Sequence, residues 1–156
     1  MPTLAAWRIT RLEFVGAAFT GEGASRYPGR WNPAGAPMVY TAGSLSLAVL
    51  EILAHLDDTA ALARYVAIPV EFAADWCETL PRHRLPADWR RQPVPESTRG
   101  VGADWLRAGR RAVLAVPSVV IPQESNYLLN PSHAQFGGIR IGAPQPLPFD
   151  PRLLPR

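Results

Sequence analysis

The chain has 156 residues, 47% of them hydrophobic and 19% charged, enough apolar material for one sizeable core and far too much for a disordered polymer. All 16 basic residues are arginine, which excludes mechanisms that need a lysine: Schiff-base aldolases, pyridoxal-phosphate enzymes and phosphate-loop NTPases. The net charge of +3 comes from arginines mixed with 13 carboxylates, a balance that admits anionic ligands but does not mark a dedicated nucleic-acid binder.

One domain over residues 1–156 is expected, and its 17 prolines against 12 glycines argue against a helical bundle, coiled coil or solenoid. Residues 7–14 alternate apolar and polar, the period of a half-buried strand, and residues 16–37 read as irregular. A short strand is predicted over 37–42. Ser44 is then placed to cap a helix over 45–55, which is apolar on most sides and is therefore expected to be largely buried. Strands over 65–72 and 112–121, a short helix over 102–111 and a last strand over 138–142 complete the order β-β-α-β-α-β-β. That order implies an α+β domain with antiparallel or mixed sheets. Residues 81–98, rich in Pro and Arg, read as a long surface loop and the most mobile segment.

With Cys77 alone no internal disulfide can form, and adding His55, His83 and His133 does not make a zinc cluster, so no metal is expected. The chain starts without a basic region and long apolar run, and no stretch approaches the roughly 18 apolar residues of a membrane span. A soluble cytoplasmic protein is the expectation.

Glu51 stands out because a carboxylate inside so apolar a helix must be paired or must look into a cleft. It reads either as a surface residue pairing with His55 one turn on, or as a carboxylate facing a site. Gly29-Arg30-Trp31-Asn32-Pro33-Ala34-Gly35 is a glycine-bounded loop presenting a guanidinium beside an indole. Arg30 suits forked recognition of phosphate or carboxylate and Trp31 offers a stacking face; the plainer reading is a turn whose Trp fills the core. Ser118 lacks the Gly-x-Ser-x-Gly setting of a hydrolase nucleophile and reads as a strand serine bonded to nearby backbone. Asn126, Asn130 and His133 suit loop-fixing hydrogen bonds, and Tyr40 a core aromatic with a wet hydroxyl. The arginines around Trp89 and Trp105 alternate with Asp and Glu, as solvated faces do, and Cys77 reads as an inert thiol.

Taken in order, these segments resemble the RES-domain family, the toxin half of bacterial toxin-antitoxin pairs. The matching blocks are Arg8-Ile9, Phe19-Thr20-Gly21-Glu22-Gly23-Ala24, the Gly29 to Gly35 loop, Val39-Tyr40-Thr41-Ala42, Ala48 to Glu51, Gly102 to Leu106, Val116-Pro117-Ser118, and Asn126 to His133. The family's Arg, Glu and Ser fall on Arg30, Glu51 and Ser118, with Tyr40 a further site residue and Arg8 a second arginine near the substrate. Pro28 stands where the family has the first glycine of its Gly-Gly-Arg turn.

The resemblance implies an ADP-ribosyltransferase-like fold, a split antiparallel or mixed sheet around an NAD+ cleft with few helices. It implies an activity that depletes NAD+ by breaking the nicotinamide-ribose bond. NAD+ is then a consumed substrate and no cofactor is needed. Water as acceptor gives a glycohydrolase, inorganic phosphate as co-substrate a phosphorylase, and a protein side chain an ADP-ribosyltransferase. Glu51 would stabilise the ribosyl cation, Arg8 and Arg30 would hold the pyrophosphate or ribose, and Tyr40 would meet the nicotinamide. Ser118 and Asn126 would bond the ribose or amide, and Trp31 would take part in binding NAD+. The implied partner is an Xre-like helix-turn-helix antitoxin that blocks the cleft, with room for a homodimer in the complex and no direct nucleic-acid or membrane contact. Two readings compete with the enzyme: an arginine-rich RNA-binding growth inhibitor, and a catalytically dead scaffold motivated only by Pro28.

Overall fold

The computed structural model describes residues 2–56 and 59–154, so both ends of the expected 1–156 domain lie outside the described residues. The strands are β1 (Thr3–Arg11), β2 (Val39–Ala42), β3 (Tyr65–Ala73), β4 (Cys77–Thr79), β5 (Val113–Pro117), β6 (Ser125–Leu129), β7 (Arg140–Ile141) and β8 (Gln145–Pro146). The helices are α1 (Glu22–Arg26), α2 (Leu45–His55) and α3 (Glu96–Ala108). The strands lie in the order β4-β5-β6-β2-β1-β3-β7, with β8 also pairing β3. β4 runs parallel to β5, and the other pairs are antiparallel. This is the mixed α+β sheet with few helices that the sequence leads one to expect, and it is split: β1 meets β2 at Trp7↔Ala42 alone. On one side of that seam β1 pairs β3 from Thr3↔Ala73 to Arg11↔Tyr65. On the other, β2 and β5 flank β6.

Pairing and packing explain where elements depart from the sequence reading. β1 ends at Arg11, not Phe14, because its partner β3 begins opposite at Tyr65, and residues 12–17 turn away as a 3-10 helix with Leu12 64% exposed. β6 was hidden by its polar start and its Asn-Pro flank, and becomes a strand because two neighbours satisfy its backbone. Within the span read as irregular, residues 22–26 make the short helix α1. α3 starts six residues earlier than expected, directly after Pro95, and stops at Gly109, whose φ of +60° suits a residue without Cβ. β5 ends at Pro117, short of the expected Ile121. The final strand shrinks to β7.

β5 is buried on both faces: Val113 joins Ala6, Val39, Val70, Phe72 and Leu129, while Leu114 and Val116 pack with Trp31, Met38, Trp105 and Leu128. Burial on both sides is why its sequence does not alternate. α2 lies over the seam, with Leu47 and Ala48 against Ile9 and Ala42. The helix is less buried than its composition suggested, since only that face is covered and Leu50 remains 39% exposed. Residues 81–95, expected to be mobile, are tied down: Arg82 donates to the Pro122 carbonyl (2.8 Å), Arg90 to that of Val119 (3.0 Å), and Trp89 packs on the second cluster. No helix among the described residues is long and apolar enough to cross a membrane.

Candidate active site

The Ser44 hydroxyl accepts from the Leu47 amide (3.1 Å), so it caps α2 as the sequence leads one to expect and sets the register that points Glu51 inward. Glu51 Oε1 accepts the Ser118 hydroxyl (2.6 Å) and the Asn126 amide (2.8 Å). These donors come from the turn after β5 and from the second residue of β6, so three elements converge on one oxygen. The surface reading of Glu51 does not hold, because His55 Nδ1 meets the Glu51 main-chain carbonyl (2.7 Å) and not its carboxylate. Ser118 is fully buried, and its oxygen also accepts the Val120 and Ile121 amides, 3.1 Å each. Its hydroxyl proton and lone pairs are thus occupied within the chain, and Ser118 touches Glu51 where a ribose or amide contact was expected. Asn126 Oδ1 is buried with no partner.

Two arginines accompany this carboxylate, Arg8 on β1 across the seam and Arg30 in the loop before β2. Arg8 Nη1 donates to the Tyr40 carbonyl (2.9 Å), filling the gap where β1 and β2 part. Its Nε is buried without a partner, and burial pulls its pKa down to about 10, so the side chain keeps its charge at neutral pH. Arg30 Nη1 donates to the carbonyls of Trp89 and Arg91, 2.9 Å each. Partial burial lowers its pKa, while the fields of Glu51 and Tyr40 act the other way. Among the described residues neither arginine forms a salt bridge.

The Arg30 loop is built on Asn32 and Tyr40. Asn32 is fully buried; its Oδ1 accepts the Gly29 amide (2.9 Å) and the Tyr40 hydroxyl (2.5 Å), and its Nδ2 faces the carbonyls of Ala24, Pro33 and Ala36. The Tyr40 oxygen accepts the Trp31 amide (3.1 Å), and burial pushes its pKa upward. A side chain at Gly29 would come within 2.6 Å of that oxygen, so only glycine lets the loop lie on Tyr40. The Tyr40 hydroxyl is therefore committed to the loop, and its ring is half-buried. Trp31 sits in the core with Met38, Trp105 and Leu128, which is the plainer of the two readings of this motif, so its indole is not a stacking face.

Asn32 and Arg99 are the loop-holding residues that sequence reasoning left out of the site. The fully buried amide of Asn32 was signalled only by its place beside Arg30. A concavity of about 830 Å³, lined by Leu12, Tyr65, Pro146, Leu147 and Phe149 among others, holds none of the expected site residues. Cys77 is half-buried, with its thiol pushed up to about 11 by burial, in keeping with an unreactive side chain. No cluster of metal ligands occurs among the described residues.

Comparison with known proteins bears on this geometry. The RES domain family model matches residues 5–150. A protein of Yersinia enterocolitica named Toxin Res is 38% identical over 149 residues, covering 94% of this chain and 97% of its own. The Prs ADP-ribosylating toxin of a Sphingobium strain is 34% identical, covering 97% of this chain and 98% of its own. Among solved structures, a chain of the M. tuberculosis MbcT-MbcA toxin-antitoxin complex superposes with a TM-score of 0.74 over 94% of this chain and 85% of that one. At 18% identity that likeness concerns the fold, and it agrees with the α+β, ADP-ribosyltransferase-like architecture the resemblance implied. With a family model spanning nearly every described residue and a full-length relative at 38% identity, this chain belongs to the RES-domain family.

Proposed function

We propose that the chain is the toxin of a toxin-antitoxin pair and that it depletes NAD+ by cleaving the nicotinamide-ribose bond. The observation that carries this reading is one carboxylate, Glu51, fixed by two neutral donors and acting through its field on Arg30, while neither Arg30 nor Arg8 has a carboxylate partner among the described residues. NAD+ suits such a site because it carries an anionic pyrophosphate and, at the reacting end, a ribose that becomes cationic. The bond between the ribose C1 and the nicotinamide nitrogen breaks, and its electron pair goes to the departing ring. Glu51 stabilises the positive charge left on the ribose, and Arg8 and Arg30 hold the phosphates. Asn126 Oδ1, a buried acceptor without a partner, suits a ribose hydroxyl or the nicotinamide amide. Attack by water at C1 with loss of a proton completes a glycohydrolase; attack by a phosphate oxygen completes a phosphorylase.

A second reading, transfer of ADP-ribose to a protein side chain, is favoured by the name of the Sphingobium relative. The structural likeness to a chain from a toxin-antitoxin complex supports a neutralising partner, for which we propose an Xre-like helix-turn-helix protein covering the Glu51 cleft. A homodimer within that complex, action in the cytoplasm and the absence of direct nucleic-acid contact belong to the same proposal.

The test is nicotinamide release from NAD+ by purified protein, with and without phosphate. Glu51→Gln keeps size and hydrogen bonding but removes the charge, and is expected to lower release by about 100-fold or more while circular dichroism stays unchanged. Label from NAD+ appearing on a protein in a lysate, without free ADP-ribose, favours transfer. No release and no labelling by wild type removes the reading and brings forward the arginine-rich RNA binder, whose affinity would fall steeply with salt and ignore Glu51→Gln.

A further inference from the structure

We propose that Arg99 is a positioning residue that sets the aim of Arg30, an inference that rests on the NAD+ reading for its kinetic consequence. Arg99 lies in the first turns of α3, and its guanidinium donates to the carbonyls of the two residues just before Arg30: Nε to Gly29 (3.2 Å) and Nη2 to Pro28 (3.4 Å). Its side chain is only 24% exposed. Among the described residues its one carboxylate neighbour is Glu96, 3.7 Å away and 90% exposed, too wet a pair to compete for its orientation.

One turn further along α3, Gly102 is pressed on the residue after Arg30, since any side chain there would overlap the Trp31 carbonyl. Arg99 and Gly102, three residues apart on one face of the helix, thus grip the loop on both sides of Arg30. The far end of Arg30 is held by the carbonyls of Trp89 and Arg91. Root and tip are both fixed, and among the described residues Nε and Nη2 of Arg30 have no hydrogen-bond partner, so they form its open donor edge. Pro28 gives this meaning. It has no N–H, so its carbonyl is its sole main-chain hydrogen-bonding group, and Arg99 takes it. A proline where the family resemblance expects glycine therefore belongs with the arginine that clamps it.

The experiment compares Arg99→Met and Arg99→Lys, each alone and with Arg30→Ala, reading KM and kcat for nicotinamide release and backbone amide exchange. Gly29 and Trp31 amides report on the loop, because Gly29 donates to Asn32 within it and Trp31 to the Tyr40 hydroxyl beneath it. Arg99→Met is expected to raise KM about tenfold with kcat within about threefold, and to speed exchange at Gly29 and Trp31 but not along β3. Arg99→Lys restores only part, since one ammonium cannot reproduce the fork across two carbonyls. In the Arg30→Ala background Arg99→Met should add nothing, as expected when one residue acts through the other. Unchanged exchange at both amides, an unchanged KM beside an active wild type, or an equal KM effect with and without Arg30 overturns the assignment. If wild type releases no nicotinamide, the reaction reading falls and the exchange result alone decides for or against Arg99.

Discussion

On the carboxylate side of the site, Glu51 is held by a hydroxyl and an amide, whereas on the cationic side Arg8 and Arg30 are held by main-chain carbonyls. Each charge is thus oriented by neutral groups, and none is cancelled by an opposite one among the described residues. The surface behaves otherwise: Arg26 with Glu22, Arg107 with Asp104, and Arg152 with Asp150 all close ion pairs. Such exposed pairs contribute little, about 0–1 kcal/mol each. The site keeps its charges open, and the folded state bears the desolvation that follows. For Arg8 the depressed pKa corresponds to roughly 3 kcal/mol of destabilisation while the cation persists. The difference between surface and site is that the surface settles its charges internally and the site does not, which is what the proposed NAD+ reading requires.

The comparison is broken most directly at Arg8. Arg8→Met removes a buried cation, so it should raise the KM for NAD+ by about 30-fold while leaving the thermal midpoint equal to or above that of wild type. A lower midpoint would mean that Arg8 is structural cement and not an open charge. Next in size is Ser118→Ala, which deprives Glu51 of one donor and strands the Val120 and Ile121 amides. It should lower kcat about tenfold at constant KM, because the carboxylate remains but wanders. A change in KM instead would place Ser118 on the binding side. The smallest effect sharpens the sign. Arg8 has a folded pKa below its unfolded value, so the chain should gain stability as pH rises from about 10 toward that unfolded value, and binding of ADP-ribose should weaken over the same interval. Calorimetric titration on either side of pH 10 checks both.

How much of this could be read beforehand follows from which forces are local. Ser44 and the helix after it were legible because a cap and a periodic stripe act within a few residues. The family blocks name Arg30, Tyr40, Glu51 and Ser118 together, and the structure joins them in two pairs, Glu51 with Ser118 and the Arg30 loop with Tyr40. Their contacts were not legible, since Glu51 meets Ser118 and Asn126 across 67 and 75 residues of sequence. β6 was missed for the same reason: its backbone is paired by β2 and β5, and its own residues carry no period. Trp31 shows the converse. Beside Arg30 it looked like a ligand platform, but packing against Trp105 and Leu128 decided its place. Arg99 escaped notice because its partners are carbonyls, which no side-chain pattern reveals.

Asn32, on which the Arg30 loop is built, has a consequence for how the protein ages. Asparagines are lost over time when the following main-chain nitrogen attacks the side-chain amide and ammonia departs. The product, an aspartate, would here turn an acceptor toward the carbonyls of Ala24, Pro33 and Ala36, three repulsive contacts where the amide's two N–H groups now point. The residue that follows is Pro33, whose ring nitrogen carries no hydrogen and cannot make that attack in the usual way. The amide that ties Tyr40, Gly29 and the loop together is thereby shielded from deamidation by that route through its neighbour in the chain.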